Sequence, residues 1–160
     1  HVTFNSGEMG LPEFVENRKD RCYICKKNLI REIYDIARGA GIQYVAHGAN
    51  ADDVNDYRPG SKAASEMGIV APLLEAGLAK SEIRILSKEA GLPTWNKPAM
   101  ACLASRIPYG TPIQDDILKM VAQAEDAVLE LGVRSCRVRH HGKVARIELE
   151  PGELEKMMTP

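Results

Sequence analysis

Cys22 and Cys25 form a C-x-x-C pair at the expected start of a helix. Two sulfurs one turn apart reach a single metal or each other, and a helix start favours the thiolate form. A redox dithiol usually belongs to a thioredoxin-like strand-helix unit and a zinc knuckle usually repeats the pair, and this sequence has no second C-x-x-C. Cys102 is the candidate third thiol. Three thiolates suit an iron-sulfur cluster with one open iron, or a zinc ion completed by His47, His140 or His141. Spacing leaves that choice open, and leaves open an unligated surface dithiol with Cys102 as a small buried residue. Cys136, between Val133 and Val138, reads as a packing residue.

Oxyanion and cation chemistry has its own candidates. Asp52, Asp53 and Asp56 follow an expected strand closely enough to hold magnesium beside substrate phosphates, and equally form a solvated acidic turn. Arg58, before Pro59 and Gly60, is placed to clamp a phosphate or to lie on the surface. Arg106, four residues after Cys102, brings a bidentate cation near the thiol. Arg137, Arg139 and Arg146 extend this into an anion-binding patch, or else pair with Glu148 and Glu150 on an ordinary hairpin face.

The elements that position these residues follow from periodicity. The stretch up to Asp20 is read as a loop with one helical turn near Pro12 to Glu16. Leu29, Ile30, Ile33, Ile36 and Ala37 recur at helical spacing, which predicts a helix from Cys22 to Arg38 ending near Gly39. Ile42 to His47 reads as a strand of a parallel sheet running into the loop GANADDVNDYRPG, and loops at strand carboxyl ends are where open α/β sheets bind ligands. A helix is predicted over Ser81 to Ala90, closed by Gly91 and Pro93. Leu92 to Pro112 contains four prolines and no period, a long connection of the kind that carries function, and it holds Cys102. Asp115 to Leu131 reads as an amphipathic helix. Arg137 to His140 and Val144 to Leu149 read as a hairpin through His141 and Gly142, and Pro151 opens a last short helix.

The 160 residues are 44% hydrophobic and 27% charged, an ordinary globular composition long enough to bury a core without disulfides or metal. With 21 basic and 22 acidic residues the net charge is -1, so there is no global field for nucleic acid or anionic membrane, and any anion site is local. No apolar run approaches the roughly 20 residues that span a bilayer. The amino-terminal residues lack the pattern of a signal peptide, which makes the cytoplasm the expected compartment. There the four cysteines are more readily ligands or reactive thiols than a disulfide framework.

In order along the chain, RCYICKK, GANADDVNDYRPG, PLLEAGLAKSEIRILSKEAGLPTWNKP, ACLASRIPYGTPI and CRVRHHGKVARIELEP resemble the PP-loop ATPase superfamily, and within it the LarE-type ATP-dependent sacrificial sulfur transferases. The resemblance runs from about Asp20 to Pro151. It implies an α/β fold: a Rossmann-like doubly wound parallel sheet of the adenine nucleotide alpha hydrolase kind, incomplete here, with the start of a smaller C-terminal α+β domain. On that basis residues 1–97 form a partial PP-loop domain, 98–114 a functional loop and 115–160 a partial domain for substrate binding and oligomerisation. The implied reaction adenylates a carboxylate of a pyridinium dicarboxylate mononucleotide with ATP and Mg2+, then installs sulfur as a thiocarboxylate on the way to a nickel-pincer nucleotide. Adenylation converts a poor leaving group into AMP, which a sulfur nucleophile displaces.

Family members either sacrifice a cysteine sulfur or use three cysteines to hold a four-iron four-sulfur cluster carrying an extra sulfide. The resemblance makes Cys22, Cys25 and Cys102 cluster ligands, with zinc as the alternative metal. It gives Ser105 and Arg106 to the phosphate of the substrate; Arg137, Arg139 and Glu148, with Glu125 less directly, to the substrate and metal region; and Asn50 and Asp53 to the nucleotide side, beside which Arg58 stands as the phosphate clamp read from its own position. A homo-oligomer is implied. The S-G-G-x-D-S loop that grips pyrophosphate in the superfamily is not in this sequence, and single-cysteine members place the thiol where this chain has Ala101. The chain is therefore read as an internal portion of a longer protein. Two rival readings stand beside this one: a PP-loop enzyme that thiolates tRNA, which the near-neutral charge disfavours, and a non-catalytic module stabilised by zinc.

Overall fold

The computed structural model describes residues 1–55 and 58–158. Asp56, one of the expected magnesium ligands, lies outside them. The described chain forms two compact units: His1–Phe14 with Lys19–Lys97, and Val15–Arg18 with the chain from Pro98 onward. Each combines one long helix with shorter helices and turns, and the second adds a two-stranded antiparallel sheet.

The first unit is built on the longest helix, α2 (Arg21–Gly39), which follows the short α1 (Pro12–Val15). The apolar residues recur at helical spacing, so one stripe of α2 faces inward. Ile30 on that stripe packs against Ala64 and Ile69, with Tyr34, Val45 and Met67 at the edges. Ala63 and Ala64 belong to α3 (Pro59–Glu66), whose Pro59 at its first turn needs no hydrogen-bond acceptor there. The Tyr34 hydroxyl donates to the Met67 carbonyl at 2.6 Å and ties the end of α3 to α2. After α4 (Pro72–Glu75) comes α5 (Lys80–Glu89). Its amino terminus is satisfied from two sides: Asp52 Oδ2 accepts the Lys80 N–H at 2.9 Å, and Glu82 Oε2 accepts that of Ala79 at 2.8 Å.

The strand expected over Ile42 to His47 differs here. Val45 accepts from the Val70 N–H and Val70 accepts from the His47 N–H, each at 3.0 Å, which makes one parallel bridge between Ala46 and Val70. Among the described residues parallel pairing goes no further, and a doubly wound sheet is not shown. Ile42 and Tyr44 point to solvent, Tyr44 at 75% exposure, while Val45 packs on the Ile30 cluster, so among the described residues this segment is paired at one point and covered on one face, short of what a buried parallel strand requires.

The second unit is organised by α6 (Asp115–Glu130), whose Val121, Glu125 and Val128 face inward. Val128 packs with Val133 and Val138, flanked by Ala124, Cys136 and Leu149. The strands β1 (Cys136–His141) and β2 (Val144–Leu149) pair in register from Cys136 opposite Leu149 to His141 opposite Val144. Gly142, with φ 64, supplies the left-handed residue of the tight connection. In α7 (Pro151–Met158), Glu153 accepts the Arg134 backbone N–H at 2.9 Å and its Nε at 3.3 Å. Alternation along β1 turns Cys136, Val138 and His140 to one face and Arg137, Arg139 and His141 to the other. Cys136 thus takes the packing position expected of it, and burial, reinforced by Glu125, raises its thiol pKa.

Candidate functional site

The Cys102 turn belongs to the second unit. Leu103–Arg106 is a single 3-10 turn directly after Cys102, whose side chain is exposed while Ala104 is buried beneath it. Arg106 is the structural centre of this turn and is 5% exposed. Its Nε donates to Glu125 Oε1 at 2.6 Å and its Nη2 to Glu125 Oε2 at 2.9 Å, a two-point ion pair. Its Nη1 faces the Ser105 hydroxyl and the Ala101 carbonyl at 3.1 Å each, and the Cys102 carbonyl at 3.4 Å. The guanidinium therefore turns inward and holds the backbone that carries the thiol.

Glu125 completes the anchor, because its Oε1 also accepts the Val138 N–H of β1 at 2.9 Å. One carboxylate thus ties the thiol-bearing turn to both the helix and the hairpin. Its place was readable as a charge four residues after Val121 and three before Val128, on the apolar stripe of α6. Asn17 was not readable. It is completely buried at φ 57, and its Nδ2 donates to the carbonyls of Pro108 at 2.8 Å and Thr111 at 2.7 Å, with Ile107 at 3.4 Å. With Val15 accepting from Ile113 and Asn17 from Gly110, it pins the proline-rich segment that follows the thiol turn.

The hairpin supplies the charge. Arg137 stands opposite Glu148 and Arg139 opposite Arg146, so three guanidinium groups and one carboxylate share a face. Arg139 Nε and Arg146 Nη2 both donate to Glu148 Oε1 at 2.7 Å, and Arg139 Nη1 donates to the Ser105 carbonyl at 3.0 Å. The Arg139 bond, aided by Arg146, holds the Glu148 carboxyl down at about 2, and the same bond raises Arg139 above its ordinary value. The structure thus brings Cys102, Ser105, Arg106, Glu125, Arg139 and Glu148 into one connected group, with Arg137 on the same strand face and outward.

The remaining sequence candidates lie in the first unit. Cys22 and Cys25 occupy the first turns of α2; Cys22 is exposed and Cys25 partly so. The Cys22 carbonyl lies against Gly60, which puts the start of α3 beside this turn. Asn50 is buried, its Oδ1 accepting the Asp52 N–H and its own N–H donating to Asp53 Oδ2, both at 3.0 Å. Asp53 also pairs with Arg58 at 2.9 Å, and Asp52 caps α5. Both carboxylates thus have protein partners. The His47 pKa lies below its ordinary 6.5, first through burial and then through Lys26, with Asp53 opposing, so the ring is a neutral imidazole at pH 7.

For a cluster or zinc ion, the donor chemistry fits: Cys22 and Cys25 stand one helical turn apart, Cys102 is exposed on its turn, and none of the three is in a disulfide. Within neither unit do the described residues gather three His, Cys, Asp or Glu side chains able to hold a metal ion. The first unit offers two of the three expected thiols and the second offers one.

No protein-family model matches the chain. Across 158 residues, 99% of the chain, it is 41% identical to the uncharacterized protein slr1717 of Synechocystis sp., covering 59% of that protein. Across 133 residues, 83% of the chain, it is 43% identical to the pyridinium-3,5-bisthiocarboxylic acid mononucleotide synthase of Lactiplantibacillus plantarum, covering 48% of it. The uncharacterized protein MJ0830 of Methanocaldococcus jannaschii is 27% identical across 149 residues, 93% of the chain and 58% of that protein. The chain therefore spans about half the length of the curated relatives it matches. No helix among the described residues is long and apolar enough to cross a membrane.

Proposed function

We propose that this chain serves an ATP-dependent sulfur transfer that converts a carboxylate of a pyridinium dicarboxylate mononucleotide into a thiocarboxylate, a LarE-type step in making a nickel-pincer nucleotide. The observation that carries this reading is the bond from Arg139 to the Ser105 carbonyl, which joins the thiol-bearing turn to the arginine face of the hairpin. A relative named as a synthase of such a mononucleotide, 43% identical to this chain, supports it.

The chemistry needs a carboxylate activated as its adenylate, with pyrophosphate released, and then attack by sulfur on the acyl carbon with AMP leaving. Outward-facing Arg137, with Arg139 and the Ser105 hydroxyl, takes the substrate phosphate. Arg106 is assigned the turn itself, since its Nε and one Nη2 N–H serve Glu125 and its Nη1 faces backbone carbonyls and Ser105. Glu148, ionised at neutral pH, fixes the two arginines that would otherwise repel. Asn50, Asp53 and Arg58 form the nucleotide side, with magnesium accompanying ATP. Cys22, Cys25 and Cys102 would hold the iron-sulfur cluster, which when bound supplies a sulfide at an iron without a protein ligand.

The test is the iron, sulfide and zinc content of anaerobically prepared protein beside its Cys102→Ser variant. The expected result is about four iron and four sulfide per chain with broad visible absorption, lost in the variant. Protein that is metal-free or holds only zinc would remove the cluster and leave either Cys102 itself as the donor or a zinc-stabilised module.

A further inference from the structure

None of the residues assigned to sulfur transfer accounts for a groove of about 560 Å³ in the first unit. It is lined by Arg84, Ile85, Lys88 and Glu89 of α5 and by Trp95 of the turn that follows. Its volume lies within the range of small-molecule sites, roughly 300–1,000 Å³.

Two features of its charge are unusual. The buried Nε of Arg84 has no hydrogen-bond partner among the described residues, and the one bond its side chain makes, from Nη2 to the Lys97 carbonyl, is long at 3.4 Å. A buried donor left unmade costs about 1–3 kcal/mol, more when the group is charged. Lys88, one helical turn on, rests its ammonium 4.9 Å from the centre of the Trp95 ring, and no carboxylate pairs with it among the described residues. Glu89 lines the groove and bonds to neither cation. Two cations four residues apart thus share a concave surface with an aromatic ring and the exposed Ile85. Among the described residues, Arg84 Nε is thus left without an acceptor and Lys88 without an ion-paired carboxylate.

We propose that this groove binds a small ligand that joins an oxyanion to a flat apolar body, such as a nucleoside monophosphate or an aromatic carboxylate. The oxyanion accepts from Arg84 and answers Lys88, as paired cations hold phosphates and carboxylates elsewhere. The body covers Ile85 and the edge of Trp95. Glu89 sets the orientation by repelling the anion from its end of the groove.

Trp95 is the chain's one tryptophan, so its emission reports this groove alone. The experiment titrates the protein at constant ionic strength with AMP, benzoate, inorganic phosphate and adenosine. A saturable change with AMP or benzoate, at least about tenfold tighter than with phosphate or adenosine, supports the site. Preference for AMP assigns the oxyanion to a phosphate, and preference for benzoate assigns it to a carboxylate. Arg84→Gln and the more exposed Lys88→Gln should each weaken binding about tenfold, the loss of one charge-assisted contact. No saturable change with either anion, equal binding of neutral adenosine, or unaltered affinity in both variants overturns the proposal. So does an emission change that follows protein concentration, which would mark the groove as a contact between copies.

Discussion

At the scale of single residues, Glu125 is the group on which the candidate site depends most. It and Arg106 are a buried, doubly bonded pair, and removing one partner of such a pair strands the other charge. Glu125→Ala should therefore destabilise the second unit by about 3–5 kcal/mol, read from denaturant unfolding. An effect under about 1 kcal/mol would mean that Arg106 finds another acceptor. Glu148 makes a different prediction, because its anchoring is electrostatic and accessible. Its carboxyl falls from 4.5 to about 2 in the folded chain, so its contribution is fully present above pH 4.5 and is lost as pH falls toward 2. Urea midpoints should drop over that window in the native chain and less steeply in Glu148→Gln. Parallel curves for the two proteins would deny Glu148 its pairing role.

At the scale of elements, local pattern and long-range pairing separate cleanly. The helices α2, α5 and α6 and the hairpin were legible because each carries its own period, with glycines marking ends, Gly39 as the last residue of α2, Gly91 beyond α5 and Gly142 at the turn, and the final helix was legible from Pro151 at its start. The segment around Ala46 reads in the sequence as a parallel strand, and among the described residues it forms a single bridge. A strand exists through its neighbours, and here one bridge to Val70 is what forms. The site residues divide the same way. Cys22, Cys25, Cys102 and the hairpin arginines are visible as residue types at fixed spacing. The inward turn of Arg106 depends on Glu125, 19 residues away, and the grip of Asn17 on carbonyls about 90 residues away leaves no local mark. That grip predicts that Asn17→Ala, which leaves buried carbonyls without donors, costs about 1–3 kcal/mol and raises amide exchange at Gly110 and Ile113. Unchanged exchange there would show the segment to be held by its prolines alone.

At the scale of the whole molecule, the two compact units divide the candidate chemistry: Cys22, Cys25 and the Asn50 to Arg58 region in one, the Cys102 turn and the arginine hairpin in the other. Near-neutral charge agrees with a small anionic substrate held by a local patch rather than by a general field. The measurement that tests the proposed sulfur transfer most directly supplies the acyl-adenylate of the pyridinium dicarboxylate mononucleotide ready-made, with sulfide, to anaerobic protein and follows AMP release and the mass of the nucleotide product. The predicted result is exchange of one carboxylate oxygen for sulfur in step with AMP, abolished in Cys102→Ser and weakened at least tenfold in Arg137→Ala. AMP release that yields only the original carboxylate, or thiocarboxylate formed equally well without the Cys102 thiol, would contradict it.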